Sequence, residues 1–328
     1  MQAILAVTIP FFALVLAGWL AARQGLLPDS AVPGLNAYVL YFALPCLLLR
    51  FGMDTPVLQL LNPAVLAVYL LCALLLVAGT VALTRNARVG LRDASFGALV
   101  AAFPNSGFMG VPLLVALLGP AAAGPVICTL LADLFVTSSL CIGLSQLEGA
   151  GGGGQGARAA ALRALGRAVR GALSNPLPWA IALGAALSAG GLQLAGPPAV
   201  VVKMLADSAS PVALFTIGAV LWRAGRHAHT RTPARDVWPV ALAKLALHPA
   251  LVYGAGTLAQ RLGAPLADFQ LMVLTLCAAL PSASNVSLLT ERYGADTGRV
   301  ARIILASTAL AFGSFSAIAW AFGVRPAA

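Results

Sequence analysis

Between Asp93 and Asp133 the chain runs for 39 residues without one charged side chain. About 20 apolar residues cross the hydrocarbon core of a bilayer at a rise of about 1.5 Å each, so this run exceeds one full crossing. Charge-free stretches of twenty residues or more recur from one end of the sequence to the other. Only 9% of residues are charged and 60% are apolar, where a soluble domain carries roughly 25% charged residues. Water would not tolerate that surface. The fold class is therefore all-α, a polytopic helical membrane protein.

Turn residues divide the apolar sequence into ten expected spans, near 3–22, 31–51, 62–84, 93–118, 122–147, 174–191, 199–222, 237–260, 266–291 and 300–323. The punctuation is Pro28-Asp29-Ser30, Asn62-Pro63, Gly119-Pro120, Gly196-Pro197-Pro198 and Gly263-Ala264-Pro265. The segment from Ala3 to Ala22 lacks a basic leader and reads as an uncleaved first span rather than a secretory signal. Basic residues concentrate in alternate loops: Arg23; Arg85, Arg88 and Arg92; Arg158, Arg163, Arg167 and Arg170; Arg223, Arg226, Arg231 and Arg235; Arg292, Arg299 and Arg302. The other side holds only Arg50, Lys203, Arg261 and Arg325. Cytoplasmic loops attract Lys and Arg, so the odd loops face the cytoplasm and both termini face outward. The net charge of +10 is thereby topological, and no nucleic-acid partner is needed to explain it. The central loop opens as a Gly-rich linker, Glu148 to Gly156, and continues as a basic stretch whose arginines share one helical face.

No motif supplies enzyme chemistry. The sequence holds no H-E-x-x-H and no G-x-S-x-G, and Cys46, Cys72, Cys128, Cys141 and Cys277 are scattered singly. Neither a disulfide framework, a metal site nor a cofactor is implied. The chain is not read as an enzyme.

The halves on either side of the central loop echo one another. Pro10 and Pro178 each begin an apolar run; Pro45 and Gly52 reappear as Pro211 and Gly218; Pro63 corresponds to Pro239; and AAFP at Ala101 to Pro104 returns as AALP at Ala278 to Pro281. Five spans per repeat is an odd number, so the second repeat enters the membrane from the opposite side. Two inverted five-helix repeats are the plan of many secondary transporters.

In both repeats the fourth span carries its strongest helix breakers at mid-depth. Proline removes a backbone hydrogen bond, and freed groups at that depth survive only inside protein or along a polar cavity. If the broken fourth and ninth spans cross at Pro104 and Pro281, half-helix ends meet there, and positive N-terminal ends favour an anion. Pro104, Asn105, Ser106, Gly107 and Met109, with Pro281, Ser282, Ser284 and Asn285, are the candidate substrate-binding residues. Gly107 and Gly110 allow close backbone approach. A kinked helix with self-bonded serines is the plainer alternative for either span alone.

Three ionisable residues at membrane depth are candidates for a charge or coupling role: Lys244, Asp133 and His248. Lys244 is one of only two lysines. An intramembrane charge usually faces the bundle interior and serves transport, but Lys244 also suits snorkelling to the interface or a structural pair with Asp133. His248 reads as a packing residue or, less simply, as a proton relay.

The stretch PNSGFMGVPLL, Pro104 to Leu114, resembles the P-N-x-G-F-M-G-x-P signature of the auxin efflux carrier family, particularly its bacterial malonate-permease-like branch. ALPCLL from Ala43, SPVALFTIGAVL from Ser210, KLALHP from Lys244 and AALPSASNVSLLTERYGAD from Ala278 extend the resemblance over the chain. It implies an elevator-type secondary transporter of the bacterial inner membrane, working as a homodimer in lipid. The substrate is a malonate-like or other small carboxylate, with H+ or Na+ as coupling ion. A scaffold of 1–60 and 173–232 would carry a transport unit of 61–147 and 233–328, with 148–172 as the cytoplasmic loop. An exporter of an auxin-like aromatic carboxylate is the alternative, followed by an anion channel, a sensor or an intramembrane enzyme. The third span, Asn62 to Thr84, lacks the acidic residue of plant relatives, and the central loop is far shorter than theirs.

Overall fold

A computed structural model describes residues 1–55, 62–149, 166, 170, 171, 173–227 and 233–325. Arg158, Arg163 and Arg167 of the expected basic helix, and Arg231, lie outside the described residues. Among the described residues the regular structure is helical, apart from one isolated bridge between extended residues. The helices are α1 (Gln2–Arg23), α2 (Ala31–Asp54), α3 (Pro63–Thr84), α4 (Leu91–Ala102), α5 (Ser106–Leu118) and α6 (Pro120–Gln146). After the central loop come α7 (Pro176–Ala189), α8 (Gly196–His227), α9, α10 (Asp268–Ala278), α11 (Val286–Arg292) and α12 (Thr297–Ala321). Helix α9 runs through Trp238–Leu242, Ala243–Leu247 and His248–Arg261. By length and composition α1, α2, α3, α6, α8 and α12 are long and apolar enough to cross a membrane.

Local chemistry sets the helix boundaries. Asn62 Oδ1 accepts the amides of Ala64 at 2.9 Å and Val65 at 3.3 Å, capping α3 just before Pro63. Asn175 does the same for α7, accepting Leu177 N at 3.0 Å ahead of Pro176. These caps satisfy first-turn amides that a helix leaves orphaned, and proline follows where its missing N–H costs nothing. Gly119 ends α5 at φ 85°, a conformation that a Cβ disfavours.

Three of the prolines within helices follow widened turns, whereas Pro10 and Pro211 sit in regular helix. π-type turns at Val39–Ala43, Ser106–Gly110 and Ala243–Leu247 each end two residues before a proline: Pro45, Pro112 and Pro249. A proline ring clashes with the carbonyl four residues back, and widening that turn relieves the clash. A fourth widened turn, Asp133–Thr137, has no proline behind it and centres instead on a buried carboxyl.

Two helix crossings are close enough to require glycine. A Cβ at Gly18 of α1 would overlap the Phe215 carbonyl of α8, and one at Gly218 of α8 would overlap the Val15 carbonyl of α1. A Cβ on Gly52 of α2 would lie 2.9 Å from Ile181 O of α7. Its counterpart at Gly184 of α7 would overlap Leu49 O of α2. Small residues let apolar helices approach where lipid supplies no hydrophobic drive.

One residue of the basic count departs from its expected place. Arg299 is fully buried in α12, its guanidinium packed over Gly97 of α4 and Nη1 donating to Asp93 O at 2.7 Å. Asp93 Oδ1 accepts Asp296 N at 2.7 Å, so this cluster ties the start of α4 to the start of α12. Arg299 is an internal tie rather than a surface charge.

Candidate functional site

Helix α4 stops at Ala102 and α5 begins at Ser106, while α10 stops at Ala278 and α11 begins at Val286. The two extended interruptions lie antiparallel, with Pro104 opposite Ser282. Asn105 N donates to Pro281 O at 2.8 Å and Ala283 N donates to Phe103 O at 3.0 Å. Backbone groups freed by each break thus find partners in the other, which is what buried non-helical backbone requires.

A cavity of about 1000 Å³ opens on one side of this crossing. Pro104, Asn105, Ser106, Gly107, Ser284 and Asn285 line it. Asn105 is 4% exposed and Ser284 7%, so their polar groups sit deep at the closed end. Asn285 Oδ1 is buried without a hydrogen-bond partner. Gly107 and Phe108 line the cavity in the first turn of α5, where a helix leaves its N–H groups unpaired and its dipole positive. The arrangement offers neutral donors to an anion without placing a fixed charge against it.

The remaining candidates of the crossing are turned away from the cavity. Ser282 Oγ donates to Val100 O at 2.6 Å, satisfying a last-turn carbonyl of α4, and its amide donates to Ser307 Oγ at 3.2 Å. Pro281 contributes its carbonyl to Asn105, and Met109 is buried in the core. Gly110 makes room for Leu280 of the opposite segment rather than for a ligand, since a Cβ there would lie 2.7 Å from Leu280 Cδ1.

The ionisable candidates form a second layer behind the crossing, outside the cavity lining. Lys244 is fully buried, which excludes snorkelling; its Nζ donates to Ala278 O at 2.7 Å and lies 3.1 Å from His248 Nδ1. The ammonium therefore caps the last carbonyl of α10 at the break. Asp133 accepts Tyr69 Oη at 2.6 Å and Thr137 Oγ1 at 2.9 Å. Lys244 and Asp133 make no direct ion pair; Lys244 meets His248, Asp133 meets Tyr69, and the Tyr69 and His248 rings lie 5.8 Å apart between them. His248 Nε2 is buried without a partner. Ser106 Oγ also reaches back, 3.3 Å from Cys277 Sγ, which lies 3.1 Å from Thr129 Oγ1.

Tyr69 was not among the residues singled out by sequence. Its hydroxyl lies 3.5 Å from Ala102 O, so it stands at the end of α4 much as Lys244 stands at the end of α10. The signal was present in the repeat: Tyr69 is six residues after Pro63, and Lys244 five after Pro239. Tyr69→Phe removes a buried donor to Asp133. It is expected to destabilise the protein by about 1–3 kcal/mol, the cost of leaving a buried polar group unsatisfied. The check is the melting temperature of purified protein in detergent, which falls in the variant.

A family model described as membrane transport protein matches residues 3–319. A protein of Rhizobium meliloti (strain 1021) named "Putative malonate transporter" is 31% identical over 317 residues, covering 94% of this chain and 93% of that relative. The match takes in both breaks and every membrane-length helix apart from Gln2 of α1 and the last two residues of α12. With its apolar helices, the chain is a multi-pass membrane protein of the membrane transport protein family, the family of the auxin efflux carriers.

Proposed function

We propose that the protein is a secondary transporter for a small organic anion, malonate or a related carboxylate, with the anion held at the helix crossing. The observation that carries this reading is the antiparallel meeting of two broken helices at buried, uncharged polar residues that line a cavity of about 1000 Å³. The name of the Rhizobium relative favours malonate among small carboxylates. Asn105, Ser284 and Asn285 offer side-chain donors, and the start of α5 adds a positive helix end.

Ten spans in two inverted repeats are the architecture behind this reading. Its support is the exchange of partners at the glycine crossings: the first helix of each half packs on the second helix of the other, Gly18 with α8 and Gly184 with α2. Alternating access is then an elevator movement of 61–147 and 233–328 against a scaffold of 1–60 and 173–232. The cavity lies between these groups, with Leu40, Leu44 and Val220 on the scaffold wall and the crossing opposite. Substrate would thus travel with the crossing past an apolar wall. The network of Lys244, His248, Tyr69 and Asp133 is where a coupling H+ or Na+ would act. The scaffold would also carry the homodimer contact, and the arginine-rich loops would face the cytoplasm, with both termini outside the inner membrane.

Uptake of radiolabelled malonate into proteoliposomes, with counterflow by unlabelled carboxylates, tests the function. Asn105→Ala is expected to reduce uptake at least about tenfold, the loss that follows when one 1.4 kcal/mol contact at the transported site is removed. The purified variant should remain monodisperse. Wild-type rates in that variant would rule out the crossing as the binding site, and absence of uptake or counterflow for every carboxylate would overturn the transporter reading.

A further inference from the structure

The crossing is uncharged, yet the cavity leading to it is not. Its lining includes the arginines Arg92, Arg170 and Arg292 and, among the described residues, no aspartate, glutamate or lysine. The three come from elements far apart in sequence: Arg92 from the first turn of α4, Arg170 from the residues before α7, and Arg292 from the last turn of α11. Their convergence is not a by-product of basic loops, because Arg85 and Arg88 belong to the same loop as Arg92 and do not line this cavity. Arg170 and Arg292 are exposed and Arg92 is half-buried, whereas Asn105 is buried, so the arginines lie toward the open end and the neutral crossing lies deeper.

We propose that Arg92, Arg170 and Arg292 form a vestibular anion trap that captures a doubly charged carboxylate before it reaches the neutral crossing. This deepens the transporter reading and rests on it. The physical reason is focusing: a cleft lined by one sign of charge between low-dielectric walls raises the local concentration of counter-charged solutes. A dianion gains twice the electrostatic energy of a monoanion in the same potential, so the trap selects for a second carboxylate that Asn105, Ser284 and Asn285 cannot read by charge. Among the described residues, local groups hold Arg92 without an ion pair to its guanidinium. Arg92 Nη1 reaches Gly294 O at 3.4 Å, its Nε is buried without a partner, and its backbone amide is bound by the Glu148 carboxylate. Glu148 packs over Gly90, accepts the Arg92 amide at the start of α4 and does not line the cavity. The trap also joins the two moving parts, since Arg170 precedes a scaffold helix while Arg92 and Arg292 belong to the transport unit. An elevator stroke separates them, dispersing the positive potential as the anion leaves.

Equilibrium binding of radiolabelled malonate to the purified full chain in nanodiscs, as a function of KCl, tests this. The wild-type protein should lose affinity as salt rises from about 10 mM, where the Debye length is about 30 Å, to about 0.1 M, where it is about 10 Å. Arg92→Gln combined with Arg292→Gln should weaken low-salt binding roughly tenfold and flatten the salt dependence. Arg92→Lys with Arg292→Lys should retain most of the affinity, because a diffuse field needs charge rather than guanidinium geometry; this also controls for folding. Equal affinity and equal salt dependence in wild type and the glutamine pair would overturn the trap and leave the transporter standing. Loss of binding in the lysine pair equal to that in the glutamine pair would also overturn it. If the wild type neither binds nor transports any carboxylate, the proposed function fails, and the trap with it.

Discussion

Lys244→Ala is expected to be among the most damaging single substitutions in the protein, costing about 2–5 kcal/mol, the range for cutting a long, fully buried side chain back to alanine. The ammonium is fully buried, and its Nζ meets Ala278 O at 2.7 Å and His248 Nδ1 at 3.1 Å. Ala278 is the last residue of α10, so its carbonyl has no helical partner beyond the break. Alanine leaves that carbonyl unsatisfied and opens a cavity where three methylenes and the amine packed. Lys244→Met separates these effects, because it keeps the volume and loses only the polar contacts. It should cost less, about 1–3 kcal/mol. Melting temperatures of the two variants in detergent measure the difference, and malonate uptake in liposomes shows what it does to transport. A methionine variant as stable as wild type would mean that the ammonium contacts contribute nothing to holding the break.

The breaks themselves were legible because proline, glycine and asparagine act on the local backbone. The proline, asparagine and glycines of PNSGFMGVP disfavour a regular helix, and its partner ALPSASN repeats the defect at the equivalent place. The helix ends were legible for the same reason, Asn62-Pro63 and Asn175-Pro176 being cap and first-turn chemistry. Which side chains face the cavity was not legible. Ser282 and Ser284 are two residues apart on an extended segment and look alike in sequence, yet Ser282 bonds Val100 O across the crossing and Ser284 lines the cavity. That choice depends on where a segment 182 residues away has placed its carbonyls. Arg299 misled for a related reason. At a helix start beside a loop it looks topogenic, and only Gly97, which supplies space without a side chain, makes it an internal tie. Tyr69 was hidden because an aromatic ring in an apolar span is ordinary packing until its hydroxyl is seen beside a buried carboxyl.

The helix crossings show how far one methyl group can matter. Gly218→Ala and Gly18→Ala are each expected to destabilise the protein by at least about 3 kcal/mol, the upper part of the range for overpacking, because the obstacle is backbone rather than a movable side chain. A Cβ at Gly218 would overlap Val15 O and lie 2.6 Å from Trp19 N; one at Gly18 would overlap Phe215 O and lie 2.6 Å from Phe215 C. Neither helix can swing aside locally, since the rings of Trp19 and Trp222 pack edge to face at 5.3 Å in the same crossing. The helices must separate along their length and forfeit close contacts that lipid does not replace. The same substitution at Gly79 of α3 or Gly313 of α12 adds a Cβ with nothing within 4 Å. There alanine should be neutral or stabilise by roughly 0.5–1 kcal/mol, through better helix propensity. The sign of the effect therefore reverses between chemically identical changes, and melting temperatures of the four purified variants decide it. Val220, two residues beyond Gly218, forms part of the apolar wall facing the helix crossing. On the proposed function, any Gly218→Ala protein that still folds carries a displaced wall and should take up malonate more slowly, while Gly79→Ala and Gly313→Ala should keep wild-type rates.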